Sequence, residues 1–132
     1  MTTYTSAALA ALASSAAAEG AHLRLDCTFT TACSEAGVCQ PGDGPARYDI
    51  APEAIDGEGA GSYRIATDAS EPVPAQGLSR TGPFLWSSGS GTRAILTLTG
   101  EATALLVRQV TESGTGAPPS AEIDMMNCEV AY

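Results

Sequence analysis

The sequence predicts an all-β domain, a small antiparallel barrel or sandwich of about seven or eight short strands stapled by two disulfides. Apolar and polar residues alternate in several segments, as they do along half-buried strands. The chain of 132 residues contains 14 Gly and 8 Pro, which supply the turns that many short strands need. Three of its four cysteines lie in or just after the predicted first strand, and the fourth lies in the predicted last strand.

The first strand is predicted over residues 22–30, where a period of two is typical of an antiparallel strand with one buried face. Its apolar face carries Leu23, Leu25, Cys27 and Phe29. Residues 31–45 are rich in Cys, Gly and Pro, and we expect them to form a loop.

The next two strands, residues 46–51 and 62–67, are predicted to pair as one hairpin. The dipeptide Asp56-Gly57 between them is a hairpin-type turn signal. The inward side chains would be Tyr48, Ile50, Tyr63 and Ile65. Residues 68–77 contain two prolines, which predicts a loop or a strand at the edge of a sheet.

The C-terminal half predicts four more short strands. One strand is predicted over residues 83–88, and it carries Trp86, which we expect in the core. The turn Gly89 to Gly91 leads into the next predicted strand, over residues 92–99. Residues 102–111 suit a strand or a short helix, and their β-branched residues favour the strand. The last strand covers residues 121–132 and carries Cys128.

Four cysteines allow three pairings, and we favour two bridges, Cys27 with Cys128 and Cys33 with Cys39. The second closes a short loop in which Gly37 supplies the bend. The first joins the two terminal strands, which are neighbours in an up-and-down barrel, although a sandwich also permits the bridge. Structural zinc ligands are usually spaced more closely in pairs, so no metal site is expected.

The N-terminal residues 1–18 resemble a secretory signal peptide, because an apolar run is followed by small residues suited to cleavage. A positively charged start is missing, and the alternative is an Ala-rich helix that belongs to the fold. We expect one exported domain over residues 19–132, located in the periplasm or secreted, where the cysteines form disulfides. No apolar stretch reaches the length of a transmembrane helix.

The chain is strongly acidic, with a formal net charge of −9. This charge disfavours nucleic acids and anionic membrane surfaces as partners. It would attract a basic protein partner, although negative charge also serves solubility alone.

Few residues suit catalysis. His22 is the one histidine and lies at the start of the first strand, where we expect it to face solvent, and Lys is absent. The carboxylate pairs Asp56/Glu58 and Glu122/Asp124 could in principle serve a glycosidase, but we expect them on outward faces or beside turns, as solvated charge. The sequence therefore predicts a non-catalytic protein without a cofactor.

A Ser-Gly-rich stretch, Ser88-Gly89-Ser90-Gly91, follows the strand that carries Trp86 and precedes Arg93. Its glycines permit a tight turn, and its hydroxyl and guanidinium groups are donors for a carboxylate or phosphate. The simpler interpretation is a plain hairpin turn.

This stretch, together with Asp26-Cys27, Asn127-Cys128 and Phe84-Leu85-Trp86, resembles the periplasmic and membrane-bound inhibitors of C-type lysozyme. The resemblance implies an exported β-barrel whose Ser-Gly loop enters the lysozyme cleft, with Ser88, Ser90 and Arg93 as the inhibitory contacts. The chain differs from that family in placing its tryptophan before the loop and in having Ala94 where the family has a tyrosine. The alternatives are an envelope structural or interaction protein and a carrier of small ligands.

Overall fold

The computed structural model describes residues 22–89, 91–111 and 118–132. These residues form nine strands and no helix. The strands are β1 (Leu23–Ser34), β2 (Cys39–Pro41), β3 (Pro45–Ile55), β4 (Gly61–Thr67), β5 (Val73–Gly77), β6 (Phe84–Ser87), β7 (Thr92–Leu98), β8 (Thr103–Val110) and β9 (Ser120–Ala131).

Eight of these strands close into an antiparallel barrel. From β3 to β9 each strand pairs with the next along the chain, and β1 pairs with both β3 and β9. The ninth strand, β2, pairs with the second half of β1, from Thr31 to Cys33. The all-β prediction is confirmed, and the closure by β1 and β9 decides in favour of the barrel over the sandwich.

The core fills the inside of the barrel with side chains from alternate positions of the strands. In β1 the buried residues Leu23, Leu25 and Cys27 alternate with exposed ones, as the sequence predicts. Trp86 is buried and packs edge-on against Tyr48, with ring centroids 6.5 Å apart. The other large buried side chains include Ile50, Tyr63, Ile65, Phe84, Leu96, Leu106 and Met126.

Both predicted disulfides are present. Cys27 and Cys128 lie directly opposite each other on β1 and β9, and their bridge links the two strands that close the barrel. The bridge between Cys33 and Cys39 joins the end of β1 to β2.

Two predictions of loops were wrong in part. Residues 31–45 include the end of β1 and the whole of β2. The end of β1 is extended because it pairs with β9 on one side and with β2 on the other. Residues 73–77 form β5, an internal strand of the closed wall. Pro74 is tolerated there because the pairing of β5 with β6 begins only at Ala75.

The meander places alternate connections at opposite ends of the barrel. The β3–β4, β5–β6 and β7–β8 connections share one end with the start of β1. The β4–β5 connection (68–72), the β6–β7 connection and the β8–β9 connection share the other, which we call the loop end.

Candidate functional site

The Ser-Gly stretch is the β6–β7 connection at the loop end. The backbone N–H of Ser88 donates to the carbonyl of Thr92 across the turn at 2.9 Å. Thr111, just after β8, donates its N–H to the carbonyl of Gly91 at 2.7 Å, and its hydroxyl donates to the same oxygen at 3.1 Å. Gly89 and Gly91 have φ angles of 69° and 79°, which other L-residues adopt only with strain. These bonds hold both sides of the turn in place.

The predicted partner-binding residues lie on different faces of the wall. Ser88 is exposed and borders the opening of the barrel at the loop end. Arg93 is exposed on the outer face of β7, opposite Ser87 of β6 and Gln109 of β8. Ser90 lies outside the described residues.

Inside the loop end the barrel contains a cavity of about 590 Å³, which we call the mouth cavity. Its apolar wall includes Phe29, Ile65, Val73, Trp86, Ala94 and Leu106, and Tyr48 adds a second aromatic ring with a hydroxyl. Asp68, Ser70 and Glu71 of the β4–β5 connection, Ser88 and Arg108 supply the polar lining. A large apolar pocket with a few convergent polar groups is the usual form of a small-molecule site.

Arg108 connects the mouth cavity to a buried carboxylate. Its Nη2 donates to Asp124 Oδ2 at 2.7 Å and to Glu122 Oε1 at 2.8 Å. Asp124 is only 2% exposed. Desolvation acts to lower the pKa of Arg108, but the bond to Asp124 and the charges of Asp124 and Glu122 outweigh it and raise the pKa. The guanidinium therefore stays charged and compensates the buried acid.

The expectation that Glu122 and Asp124 lie on an outward face was wrong for Asp124. On β9 it shares the inner face with Met126 and Cys128, all three buried at alternate positions. Counting back from Cys128 with a period of two would have found it, since the favoured bridge joins Cys128 to Cys27, which was predicted on the apolar face of the first strand. The expectation for Glu122 and Asp124 rested on their charge, whereas the alternation of side chains along β9 determines which face of the sheet Asp124 occupies.

Tyr48 lies between the core and the mouth cavity. Burial, with a smaller contribution from the charge of Asp68, raises the pKa of Tyr48 to about 12. Its hydroxyl donates a long hydrogen bond to Met126 Sδ at 3.8 Å. Tyr48 therefore presents a neutral ring and hydroxyl to the cavity at physiological pH.

The other residues considered for chemistry have structural surroundings. His22 is exposed at the start of β1, as predicted, and its Nε2 lies 3.3 Å from Asp49 Oδ1. Asp56 Oδ1 accepts the backbone N–H groups of Ala60 and Glu58, both at 2.9 Å, and these bonds lower the pKa of Asp56. The Asp56 carboxylate thus stabilises the predicted turn. Among the described residues, no three His, Cys, Asp or Glu side chains form a group that could hold a metal ion.

Comparison with protein-family models, with curated proteins and with solved structures finds no match to this chain. In the part of the chain that the structure describes, no helix is long and apolar enough to cross a membrane.

Proposed function

We propose that this chain is an exported, non-catalytic binding protein that inhibits a C-type lysozyme through the β6–β7 loop. The observation that carries the proposal is the loop itself. It is an exposed Ser-Gly turn at one end of a barrel, held by backbone bonds on both sides, beside an exposed Arg93. Flanking residues that are held in place before binding, as Ser88, Gly91 and Thr92 are, lose little conformational entropy when the loop docks.

The fold supports the proposal. The resemblance to lysozyme inhibitors implies a small β-barrel, and the chain has an eight-stranded barrel with a disulfide between its terminal strands. Phe84, Leu85 and Trp86 form the strand that leads into the loop. Two disulfides in so short a chain suit an oxidising compartment, which favours the periplasm or the extracellular space.

The chemistry of the loop suits an acidic cleft. The hydroxyl of Ser88 and the guanidinium of Arg93 are hydrogen-bond donors, and an Arg can bind a carboxylate through two parallel bonds. The formal net charge of −9 would also attract a basic lysozyme over a longer range. In this mechanism the loop occupies the cleft, and no bond is made or broken.

The proposal is tested by titrating the oxidised protein against a C-type lysozyme in a cell-lysis assay at low and physiological salt. We expect stoichiometric inhibition, with faster association at low salt. Arg93→Ala should weaken inhibition by about tenfold or more, as loss of a central interface Arg does, and Ser88→Ala by less.

Arg24→Ala is the matched control, because Arg24 is an exposed arginine on the outer face of β1, near the opposite end of the barrel. It should inhibit as the wild type does. No inhibition at micromolar protein, or equal losses for Arg24→Ala and Arg93→Ala, would refute the role of the loop.

A further inference from the structure

The mouth cavity has the size and the walls of a small-ligand site, and Ser88 and Gly89 of the β6–β7 connection form part of its lining. Its volume of about 590 Å³ falls inside the roughly 300–1,000 Å³ that is usual for ligand pockets. Ile65, Val73 and Leu106 line it from three different strands, and Trp86 adds an aromatic face. An apolar body placed there would be removed from water on the sides that these residues line.

The charges around the cavity are mostly negative. Asp68 and Glu71 line it, and Arg108 in the lining is bonded to both Asp124 and Glu122. The one arginine of the lining is thus paired with two carboxylates, and the lining holds two further acidic residues, Asp68 and Glu71. An anionic ligand would have to compete with two carboxylates that Arg108 already holds, whereas a cation meets a net negative field.

Other arginines near this end do not reverse that balance. Arg47 lies on the outer face of β3, where it bonds to Asp26 and also interacts with the charge of Asp68. Arg93 is exposed on the outer face of β7. Arg64 lies on the outer face of β4, 3.9 Å from Glu53, and donates to the carbonyl of Pro72.

The outer wall carries a larger depression, of about 840 Å³, but it lacks an aromatic surface. Asp26, Arg47, Asn127 and Glu129 line it together with small residues around the disulfide of Cys27 and Cys128. The mouth cavity is the stronger candidate because it combines an apolar interior with charge at its rim.

We propose that the mouth cavity binds a small organic cation, an ammonium group attached to an apolar or aromatic body. The body lies inside the barrel against Trp86 and Leu106, and the ammonium stays at the rim near Asp68 and Glu71.

The chain contains one tryptophan, and Trp86 lines the cavity, so its fluorescence reports on occupancy. The test compares three ligands with one apolar body and different head groups: 3-phenylpropylammonium, 3-phenylpropanol and 3-phenylpropanoate. Each is titrated by Trp86 fluorescence and by calorimetry. We expect the ammonium compound to bind most tightly and the carboxylate least, with the preference for the ammonium reduced at high salt.

Two substitutions remove rim charge with little change of shape. Asp68→Asn keeps an oxygen that accepts the Arg47 N–H, now bonded at 3.0 Å, and Asn also tolerates the φ of 54° at this position. Asp68→Asn and Glu71→Gln should each weaken binding of the ammonium by about two- to fivefold, as expected for partly exposed charge pairs. Binding of the neutral alcohol should not change.

Glu58→Gln is the control, since Glu58 lies in the β3–β4 turn at the opposite end of the barrel. Thr92→Phe narrows the cavity from β7 and should abolish binding of all three ligands, with the fold checked by circular dichroism. If Thr92→Phe does not fold, Asp68→Asn and Glu71→Gln still test the proposal.

Equal affinity for the ammonium and the alcohol, tighter binding of the carboxylate, or no binding of any of the three would overturn the proposal. So would equal losses in Glu58→Gln and Glu71→Gln. The lysozyme assay separates the two proposals through Arg93→Ala, because Arg93 lies outside the lining of the mouth cavity and Asp68→Asn and Glu71→Gln leave the β6–β7 loop unchanged.

Discussion

Asp124 and Tyr48 carry polar groups into the barrel, and each is accommodated in a different way. Asp124 pairs with the guanidinium of Arg108, an arrangement in which loss of one partner costs about 3–5 kcal/mol when both are fully buried and less here, where Arg108 is half exposed. Tyr48 instead stays neutral, because burial raises its pKa. The charged pair faces the mouth cavity, and the neutral hydroxyl reaches Met126 in the core.

The raised pKa of Tyr48 predicts a loss of folding stability at alkaline pH. An unfolded tyrosine ionises near pH 10, whereas Tyr48 in the fold does so near 12, so between these values the unfolded state binds fewer protons and becomes favoured. The stability present below pH 10 should fall by about 2–3 kcal/mol as the pH rises to 12. Urea unfolding followed by Trp86 fluorescence across this range measures it.

Tyr48→Phe removes the ionising group and should flatten this decline, with little cost at pH 7 because its one described hydrogen bond, to Met126 Sδ, is long. Tyr132→Phe, in which the residue is 78% exposed, serves as the control and should keep the wild-type profile. A decline of the same size in Tyr48→Phe would show that other groups cause it.

The β3–β4 hairpin requires glycine at a position where the backbones of the two strands approach each other closely. Gly61 opens β4 with a φ of 144°, and a Cβ there would overlap the carbonyl oxygen of Ala54 on β3 and lie 3.0 Å from Ile55 Cα. Gly57, in the turn of the same hairpin, has open space where its Cβ would be. Two glycines four residues apart therefore have different structural roles.

Gly61→Ala should lower the free energy of unfolding by about 2–4 kcal/mol, because backbone on both strands must shift. Gly57→Ala should change it by less than about 0.5 kcal/mol. Urea denaturation of the two variants makes the comparison. Similar values for both would contradict the close approach of β3 and β4 at Gly61.

At the scale of the whole molecule, the pairing of β1 with β9 leaves the eight-stranded barrel without an open edge. The two strands pair from Arg24 with Ala131 to Ser34 with Glu122, and the Cys27–Cys128 bridge crosses this seam inside the barrel. Closure protects backbone groups that an open sheet would present to other chains.

The two disulfides should contribute unequally to stability. Replacing Cys27 and Cys128 together by Ala frees a loop with a sequence separation of 101 and should cost about 4–5 kcal/mol by loop-closure entropy. Replacing Cys33 and Cys39 by Ala frees a separation of 6 and should cost about 2 kcal/mol. Chemical denaturation of the two double variants tests this, and an equal fall in midpoint would show that closing the longer loop adds no more stability than closing the shorter one.

Much of the fold was predictable from local pattern. The alternation in residues 22–30 reflects a pleat that sends successive side chains to opposite faces, and it predicted the first strand and its inner face correctly. The β-branched residues of 102–111 favoured the strand that is observed. The loop prediction for residues 31–45 failed because β2 is stabilised by its pairing with β1, which the segment does not encode locally.

The sequence by itself determined the all-β class and the inner faces of the clearly alternating strands, because these follow from the residue period, and the cysteine positions favoured a bridge that brings β1 to β9. The tertiary structure decided what meets at the loop end. Arg108 of β8 meets Asp124 of β9, and the β4–β5 connection brings Asp68 to the same cavity. A period of two tells which side of a strand a residue faces, but strand order and closure determine its neighbours there.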